Sequence, residues 1–308
     1  MDLISLVLRI LFLIIIIGLI PLFPGFVNKQ KAAFTGRIGP SVFQPYYELR
    51  KLLRKETVNS TGSSFISLIS PVINFVAVVA ALAMLPIGFL DSVISFKGDI
   101  ILFAYLLGLA RFFQILAAMD IGSSFEGMGA AREATFAVFA EPIFFFTIGS
   151  IAFISGFTSI SEIYLSIKLD NVAYIVFIVV CSISVFILAV AECSRMPVDD
   201  PNTHLELTMI HEVMILDNSG MDLYLYQYSS YIKLFIYAIL EASFFYPFGV
   251  QSYVFGITLF AFIILMLSTF LAVVETVTSR FRMKNIPYYL LFATAIGVLN
   301  LLIITFTK

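Results

Sequence analysis

Long apolar segments are the feature that most limits what this chain can fold into. A bilayer core about 30 Å thick is crossed by a helix of roughly 20 apolar residues. Segments of that length recur along the whole sequence, and no segment between them resembles a soluble domain. We therefore predict an all-α membrane protein with eight transmembrane helices in one integral membrane domain, 1–308. The predicted spans are residues 3–23, 67–90, 99–119, 131–155, 172–193, 229–249, 252–276 and 286–306.

The composition excludes a soluble protein and several kinds of cofactor site. Charged residues make up 12% of the chain, whereas an average soluble domain contains about 25%. The first apolar run has no small-residue cleavage site, which favours a span over a signal peptide. Cys181 and Cys193 lack the spacing of metal ligands, so we expect no iron–sulfur cluster or metal site in this chain. No dinucleotide fingerprint or P-loop is present, and we expect no residue that performs covalent catalysis.

The lysines and arginines predict the orientation of the spans. Most of them lie in the first, third, fifth and seventh connections, about residues 24–66, 120–130, 194–228 and 277–285. The opposite connections and the C-terminus hold only Lys97, Lys168 and Lys308. Positively charged loops stay on the cytoplasmic side. We therefore predict that these four connections are cytoplasmic, that both termini lie outside, and that the protein is in a bacterial or archaeal cytoplasmic membrane.

The connection after the fifth span concentrates ionisable residues between two apolar runs. Pro197 is expected to stop the preceding helix, and Asp199 or Asp200 could cap a new one that starts at Pro201. We predict a short acidic amphipathic helix over 201–217 at the membrane surface. The ionisable residues of this connection are Glu192, Arg195, Asp199, Asp200, His204, Glu206, His211, Glu212 and Asp217.

The histidines of this connection raise the question of a metal site. His204 and Glu206 form an HxE pair without the accompanying cysteines of zinc deaminases. His211 and Glu212 begin an HExxH sequence, but Ile215 stands where the second histidine belongs. The two histidines are seven residues apart and could share one helical face and a metal. We consider a hydrogen-bonding or packing role the better interpretation.

The first cytoplasmic connection has the pattern of a structured element. From Tyr46 to Glu56, apolar and basic residues alternate with helical spacing, as in a helix that lies in the membrane interface. Positive charge alone would be explained by anchoring. The Gly39-Pro40 turn and the Gln44-Pro45 step argue for a shaped structure as well.

Ionisable residues within the spans are candidates for function, because a charge in the bilayer is costly. Glu141 lies inside the fourth span and precedes Pro142, which can kink the helix and free a carbonyl group. Glu192 ends the fifth span, Glu241 lies in the sixth, and Arg111 in the third is a candidate counter-charge. Structural ion pairs are the alternative. Three carboxylates with one arginine in adjacent spans favour a proton path.

Four motifs give the chain a resemblance to a known family over almost its whole length. It resembles subunit 1 of respiratory complex I, the eight-helix membrane subunit of NADH:quinone oxidoreductases. It is closer still to the counterparts in membrane-bound NiFe hydrogenases, such as formate hydrogenlyase subunit 4 and hydrogenase-4 component C. The motifs are Arg37-x-Gly39-Pro40 with Gln44-Pro45, Glu48 and Lys51-Leu52; Asp120-x-Gly122-Ser123-x-Phe125 with Gly129-Ala130-Ala131-Arg132-Glu133 and Glu141-Pro142; Ala191-Glu192-x-x-Arg195-x-Pro197-x-Asp199 with Glu206; and Asp217-x-Ser219-Gly220.

The resemblance implies a non-catalytic subunit beneath the peripheral arm of an oxidoreductase complex. It would link electron transfer to proton or sodium movement. The implied partners are a small subunit with an iron–sulfur cluster, a large catalytic subunit in which NiFe could reside, and antiporter-like and small membrane subunits. Complex I has further acids where this chain has Asn202 and His204, and a longer loop than residues 37–44. Those departures weaken the case for quinone as a ligand.

The same resemblance, together with the residues themselves, assigns candidate roles. The proton pathway would contain Glu141, Glu192, Glu206, Asp217 and Glu241. Coupling and charge tuning would involve Arg132, Glu133, Arg195, Asp199, Asp200 and Glu212, although Asp199 and Asp200 could equally be helix caps. Docking of the peripheral arm would use Arg37, Gly39, Pro40, Gln44, Pro45, Glu48 and Lys51.

Three functions remain open from the sequence. The first is a subunit of a hydrogenase or formate-hydrogenlyase type complex that does not use quinone. The second is the quinone-binding subunit of an NADH:quinone oxidoreductase. The third is a non-redox ion transporter or an assembly scaffold.

Overall fold

A computed structural model describes residues 3–58, 60, 62–88, 90–166, 172–200, 209–246 and 253–307. The described part of the chain is all-helical and contains no β-strand. Its helices are α1 (Leu3–Leu19), α2 (Leu22–Phe34), α3 (Gln44–Leu52), α4 (Phe65–Ala83), α5 (Asp99–Asp120), α6 (Ser124–Ser155), α7 (Ile160–Leu165), α8 (Val172–Glu192), α9 (Gly220–Phe245), α10 (Tyr253–Val277) and α11 (Ile286–Thr307).

Seven segments are long and apolar enough to cross a membrane, so the chain is a multi-pass membrane protein. They are Leu6–Phe34, Phe65–Ala83, Asp99–Asp120, Ser124–Ser155, Tyr174–Glu192, Val254–Val277 and Met283–Ile303. The predicted sixth span falls on α9, which is 26 residues long but contains Asp222, Lys233 and Glu241 and is not among the seven. The number eight therefore stays a prediction.

Several predicted spans have different boundaries in the structure. The second ends at Ala83 and not at residue 90. The first is longer than residues 3–23, because α2 follows α1 almost directly and the candidate span reaches Phe34. The fourth begins at Ser124 and not at residue 131. Its added turns are polar, but Glu126 is buried and accepts a hydrogen bond from the Asp217 N–H at 3.0 Å. Contact with residues 209–217 thus compensates for the low apolarity of these turns.

The first connection folds back onto the helix that precedes it. A Cβ atom on Gly25 would collide with the Val42 carbonyl group, and one on Gly39 would lie 3.5 Å from the Lys29 Cα. The side chains of Pro45, Leu49 and Leu52 bury one face of α3, and the Tyr46 hydroxyl donates to the Gly18 carbonyl at 2.5 Å. In the predicted Tyr46–Glu56 segment, the helix α3 begins at Gln44 and ends at Leu52. That it is an amphipathic helix in the membrane interface stays a prediction.

Buried polar contacts fix α4, α5 and α9 against one another. The Asn74 side chain donates to the Ala110 carbonyl at 2.9 Å, and the Ser70 hydroxyl donates to the Phe113 carbonyl at 2.7 Å. The Tyr226 hydroxyl donates to Ser70 at 2.7 Å. Hydrogen bonds between buried groups avoid the cost of unpaired polar atoms. They hold in register the helices that carry the ionisable residues described below.

The predicted helix over 201–217 differs from the structure in its described half. Residues 201–208 lie outside the described residues. Beyond them, only Glu212–Ile215 is helical, as a single 3-10 turn. Two backbone N–H groups, those of Ile210 and His211, donate to the Asp199 carboxylate instead of to carbonyl groups of a helix. Val213 and Met214 are buried, so this segment is an ordered loop that packs on α6.

Candidate functional site

One buried arginine gathers three carboxylates from two helices. The Arg111 guanidinium on α5 lies 2.5 Å from Glu192 on α8, and 3.5 Å from both Glu133 and Glu141 on α6. The side chains of Glu192 and Glu133 are 4% and 6% exposed, whereas that of Glu141 is 58% exposed. Arg111 therefore connects two buried carboxylates to a third at the surface of the chain.

A lysine on α9 completes the charge around Glu192. The Lys233 ammonium group lies 2.7 Å from the second carboxylate oxygen of Glu192. Two cations thus face Glu192, and removal of either leaves buried charge that is less well compensated. We call Arg111, Glu133, Glu141, Glu192 and Lys233 the ionic cluster.

His211 links the ionic cluster to the described residues 194–200 and 209–219, which we call the loop. Its Nε2 lies 3.1 Å from Glu133 and its Nδ1 lies 3.6 Å from Asp199. Burial alone would lower the pKa of His211, but the carboxylates of Glu133 and Asp199 outweigh it and raise the pKa to about 10. The imidazole is therefore a cation at neutral pH, placed between a span and a loop.

Close packing on α6 gives His211 this position. A Cβ atom at Gly129 would collide with Val213 and would lie 3.0 Å from the Met214 Cγ and 3.1 Å from the Ile210 carbonyl oxygen. Because glycine has no Cβ, the loop can approach the helix within the turn that precedes Glu133. That approach brings His211 against Glu133.

Asp199 is the centre of the loop. Its carboxylate accepts hydrogen bonds from the backbone N–H groups of Asp200, Ile210 and His211, and it pairs with Arg280 at 2.6 Å. Burial alone would raise the pKa of Asp199, but His211 and Arg280 hold it below its ordinary value. Asp199 is thus an ionised side chain that closes the loop.

Two ion pairs of buried Glu275 connect the loop to α2 and α10. Glu275 lies 2.7 Å from Lys31 on α2 and 3.4 Å from Arg195 in the loop. The Glu275 side chain is almost fully buried. Glu275 therefore joins Arg195 of the loop to α2 and α10.

Two cavities adjoin the Arg111–Glu192 pair. One, of about 80 Å³, is lined by Arg111, Glu141, Glu192 and Tyr237. The other, of about 70 Å³, is lined by residues that include Glu133, His211 and Lys233. A buried water needs roughly 10–15 Å³ and two to four polar partners. Each cavity could thus hold several waters in contact with the ionic cluster.

Glu241 lies apart from these ion pairs. Its Oε2 accepts a hydrogen bond from the Ser182 hydroxyl at 2.7 Å. Its Oε1 is buried and has no hydrogen-bond partner among the described residues. No ion pair of the described residues includes Glu241, so it is a separate buried carboxyl group.

The other described residues predicted for the proton path and for coupling lie outside the ionic cluster. Asp217 is exposed, and Glu206 lies outside the described residues. Arg132 donates to the Met209 carbonyl at 2.8 Å, which again ties α6 to the loop. Asp200 and Glu212 are half-buried in the loop.

The predicted docking residues lie on and before α3. Arg37, Pro40 and Lys51 are exposed, while Gln44 donates to Glu48 at 3.1 Å. Pro45 is buried at the start of α3, and Gly39 makes the close approach to α2 described above. The segment is thus a defined surface that presents basic side chains.

Sequence reasoning missed several members of the site. Lys233 and Arg280 are predicted only as charges that orient the spans, and Glu275 is given no role. His211 is predicted to have a hydrogen-bonding or packing role, and in the structure it contacts two carboxylates. Glu133, Glu141, Glu192 and Asp199 are identified as candidates, and Arg111 is identified as a counter-charge. The four-residue spacing of Lys233, Tyr237 and Glu241 within one apolar helix is a signal that could have placed Lys233 inside. Among the described residues, no group of three or more His, Cys, Asp or Glu side chains could hold a metal ion.

Comparisons with known proteins agree with the motifs. A sequence profile of the family described as NADH dehydrogenase matches residues 6–305. Hydrogenase-4 component C of Escherichia coli (strain K12) is 29% identical over 239 residues, 77% of this chain and 74% of that protein. Formate hydrogenlyase subunit 4 of the same organism is 25% identical over 284 residues, 89% of this chain and 90% of that protein.

A solved structure has the same fold. A chain of the membrane-bound sulfane sulfur reductase, an archaeal respiratory membrane complex, superposes with a TM-score of 0.83 and 21% sequence identity. The match covers 96% of this chain and 98% of that chain. At this identity the likeness concerns the fold alone.

Proposed function

Because the chain belongs to the NADH dehydrogenase family of complex I subunit 1, we propose that it is the membrane subunit of a complex I-like or hydrogenase-like oxidoreductase. In this role it anchors a peripheral electron-transfer arm and couples electron transfer to the translocation of protons or sodium ions. The curated relatives of the hydrogenase and formate hydrogenlyase type favour the hydrogenase-like form.

The observation that carries this proposal is the continuous set of ion pairs from the loop into the spans. Arg280, Asp199, His211, Glu133, Arg111 and Glu192 follow one another at distances of 2.5–3.6 Å. Charges this close in a low-dielectric interior influence one another strongly. A shift of the loop would therefore change the charge balance around Glu133 and Glu192.

We propose the following sequence of events for the residues of this chain. Electron transfer in the arm displaces the loop, and His211 moves with it relative to Glu133. With less positive charge near Glu133, Arg111 shifts toward Glu133 and away from Glu192. Glu192 then takes up a proton from the cavity of about 70 Å³, and Glu141 passes a proton onward at the surface of the chain. Restoration of the loop returns Arg111 to Glu192 and expels the proton.

The redox groups belong to partner subunits in this proposal. The small subunit of the arm would contain the iron–sulfur cluster, and the large subunit would contain the catalytic centre, with NiFe in the hydrogenase-like form. Cys181 is buried and Cys193 half-buried, both as free thiols. This chain supplies the cavities, the carboxyl groups and the surface around α3.

We also propose the orientation that the lysines and arginines indicate, with α3 and the loop on the cytoplasmic side. The exposed side chains of Arg50, Lys51 and Arg54 then face the arm. Basic side chains at the rim of an interface steer a partner of opposite charge and suppress wrong contacts.

A quinone-binding subunit is the second candidate, and an apolar cleft favours it. The cleft has a volume of about 470 Å³ and is lined by residues of α1, α2, α9 and α10. Val42 of the connection before α3, and Ile87 and Gly88 after α4, complete the lining. A quinone tail would fit an apolar passage of this kind. Organic extraction of the purified complex would distinguish the candidates, because a quinone-reducing complex should release quinone and regain activity when it is added back.

The proposed function is tested by purification through a tag on this chain. We expect the chain to copurify with subunits that contain iron–sulfur clusters. Lys51→Glu with Arg54→Glu should release the arm during a high-salt wash, because like charges across an interface cost several kcal/mol. Lys97→Glu, an exposed charge in the second connection, is the matched control and should keep the arm. Purification without any iron–sulfur partner would contradict the proposal and favour a non-redox transporter.

A further inference from the structure

One face of α9 forms a polar stripe within the apolar core. Lys233, Tyr237 and Glu241 are spaced by four residues, so their side chains lie above one another on the helix. Tyr237 and Glu241 are 3% and 4% exposed. Lys233 belongs to the ionic cluster through Glu192, whereas Glu241 is two helical turns farther from the loop. The stripe therefore leads from the ionic cluster towards the other end of α9.

The surroundings of Glu241 leave one of its oxygens unsatisfied. Ser182 occupies Oε2, and Oε1 is buried without a hydrogen-bond partner among the described residues. The neighbouring titratable groups are Cys181 and Tyr164, with Arg195 and Tyr237 lining the same cavity as Glu241. The Tyr164 hydroxyl donates to the Leu240 carbonyl at 3.2 Å. A buried polar atom without a partner destabilises the fold. A water or a bound proton would satisfy Oε1.

Tyr237 separates two cavities that could provide this water. It lines the cavity of about 80 Å³ together with Arg111, Glu141 and Glu192. It also lines a cavity of about 30 Å³ together with Arg195 and Glu241. The smaller cavity has room for roughly two waters.

The Tyr237 hydroxyl makes no hydrogen bond to a protein atom among the described residues. Tyr226 and Tyr228, on the same helix, donate to Ser70 and to the Ile17 carbonyl respectively. Those two tyrosines fix the packing of α9. The Tyr237 hydroxyl is not used in this way, although Tyr237 lines both cavities.

We propose that Tyr237 relays protons between the ionic cluster and Glu241, and that Glu241 is the proton-loading site at the far end of this relay. The inference rests on the proposed function and adds to its proton path a branch that leads from the ionic cluster to Glu241. The hydroxyl accepts a proton from a water in the larger cavity as that water takes one from protonated Glu192. It releases its own proton to a water in the smaller cavity, which passes one to Glu241. Tyrosine and both waters each gain one O–H bond and lose another, so they end neutral, while Glu192 ends ionised and Glu241 ends protonated.

The test is ion pumping by the complete complex in vesicles, normalised to assembled complex and to electron transfer. A positioned group that transfers a proton contributes roughly 10²–10⁴-fold to a rate. Tyr237→Phe should therefore lower pumping at least about tenfold while electron transfer with soluble dyes continues. Glu241→Gln should do the same, and the double variant should be no worse than either single variant, because both act in one path. The residual pumping of Tyr237→Phe should have a larger solvent deuterium isotope effect than that of the wild type.

Tyr228→Phe is the matched control. It also removes a hydroxyl group from α9, and it breaks a hydrogen bond to Ile17, but Tyr228 lines neither cavity. It should pump normally. Should Tyr237→Phe fail to assemble, Ala238→Val tests the same inference, because it fills the smaller cavity that Ala238 lines and should lower pumping equally.

Two results would overturn the relay. One is normal pumping and an unchanged isotope effect in Tyr237→Phe, or in Ala238→Val where that variant is needed. The other is additive loss in the double variant. If the proposed function itself is wrong, the Glu141→Gln complex should pump normally. Loss in Glu141→Gln with normal pumping in Tyr237→Phe would remove the relay alone.

Discussion

At the scale of single residues, the charge around Arg111 explains how several carboxylates persist in an apolar chain. One guanidinium contacts Glu133, Glu141 and Glu192, and Lys233 adds a second cation at Glu192. The carboxylates outnumber these two cations. His211, which also faces Glu133, supplies the third positive charge. The cluster is therefore balanced only while His211 is protonated and in place.

His211 should keep its proton well above neutral pH. Its folded-state pKa of about 10 lies above the unfolded value of about 6.5. Its stabilisation is therefore complete below about pH 6.5 and is lost as the pH rises through about 10. The measurement is ¹⁵N NMR of histidine-labelled protein in the His204→Gln background, where His211 is the only histidine.

We expect the His211 resonances to remain those of an imidazolium ion at pH 8. Asp199→Asn should lower the titration midpoint, because it removes one of the two facing carboxylates. Asp217→Asn, at an exposed side chain, is the control and should leave the midpoint unchanged. A midpoint near pH 6.5 in the parent protein would show that the two carboxylates do not stabilise the cation.

At the scale of elements, the contact of α6 with the loop is what joins the two halves of the site. Gly129→Ala should displace residues 209–217, because the new methyl group meets Val213, Met214 and the Ile210 carbonyl. Overpacking of this kind costs about 1–3 kcal/mol. Faster hydrogen–deuterium exchange of the Ile210 and His211 amides, which Asp199 now binds, would report the displacement.

The same helix offers a close control. Gly127 has no atom within 4 Å of an added Cβ, so Gly127→Ala should gain about 0.5–1 kcal/mol of helix propensity without displacing the loop. Equal exchange in the two variants would argue against the close approach at Gly129.

The elements also show what the sequence could predict and what it could not. Apolar length is sufficient to locate spans such as α4, α5 and α8, because each stretch specifies its own helix. It does not locate the start of α6, where polar turns become helical through contact with residues 209–217. It also fails at residues 209–217, where Asp199 binds backbone N–H groups that a helix would have used. Contacts between segments far apart in the sequence determine both the start of α6 and the conformation of residues 209–217. Such contacts cannot be identified from a single sequence.

At the scale of the whole molecule, the motifs were sufficient to identify the family, but the arrangement of charges was not visible. Glu141, Glu192 and Arg111 lie together, as adjacent ionisable spans suggested. Glu241 forms a separate site, and Asp217 is on the surface. The links through Lys233 and His211 depend on which helix faces which, and this follows from packing that spacing alone leaves undetermined.

The central claim is that the ionic cluster couples electron transfer to ion movement, and Glu141 offers the clearest test. Removing one partner of a buried ion pair costs about 3–5 kcal/mol. Glu141, however, is 58% exposed, and Arg111 keeps Glu133 and Glu192 without it. Glu141→Gln should therefore assemble at normal yield, so that a functional loss is not a folding defect.

The measurement is the ratio of ions pumped to electrons transferred by vesicles that contain the complete Glu141→Gln complex. We predict that electron transfer to soluble dyes at the arm continues while the ratio falls at least about tenfold, because glutamine cannot take up and release a proton. Glu141→Asp, which titrates but is one methylene shorter, should give an intermediate ratio. A wild-type ratio in the fully assembled Glu141→Gln complex would contradict the account.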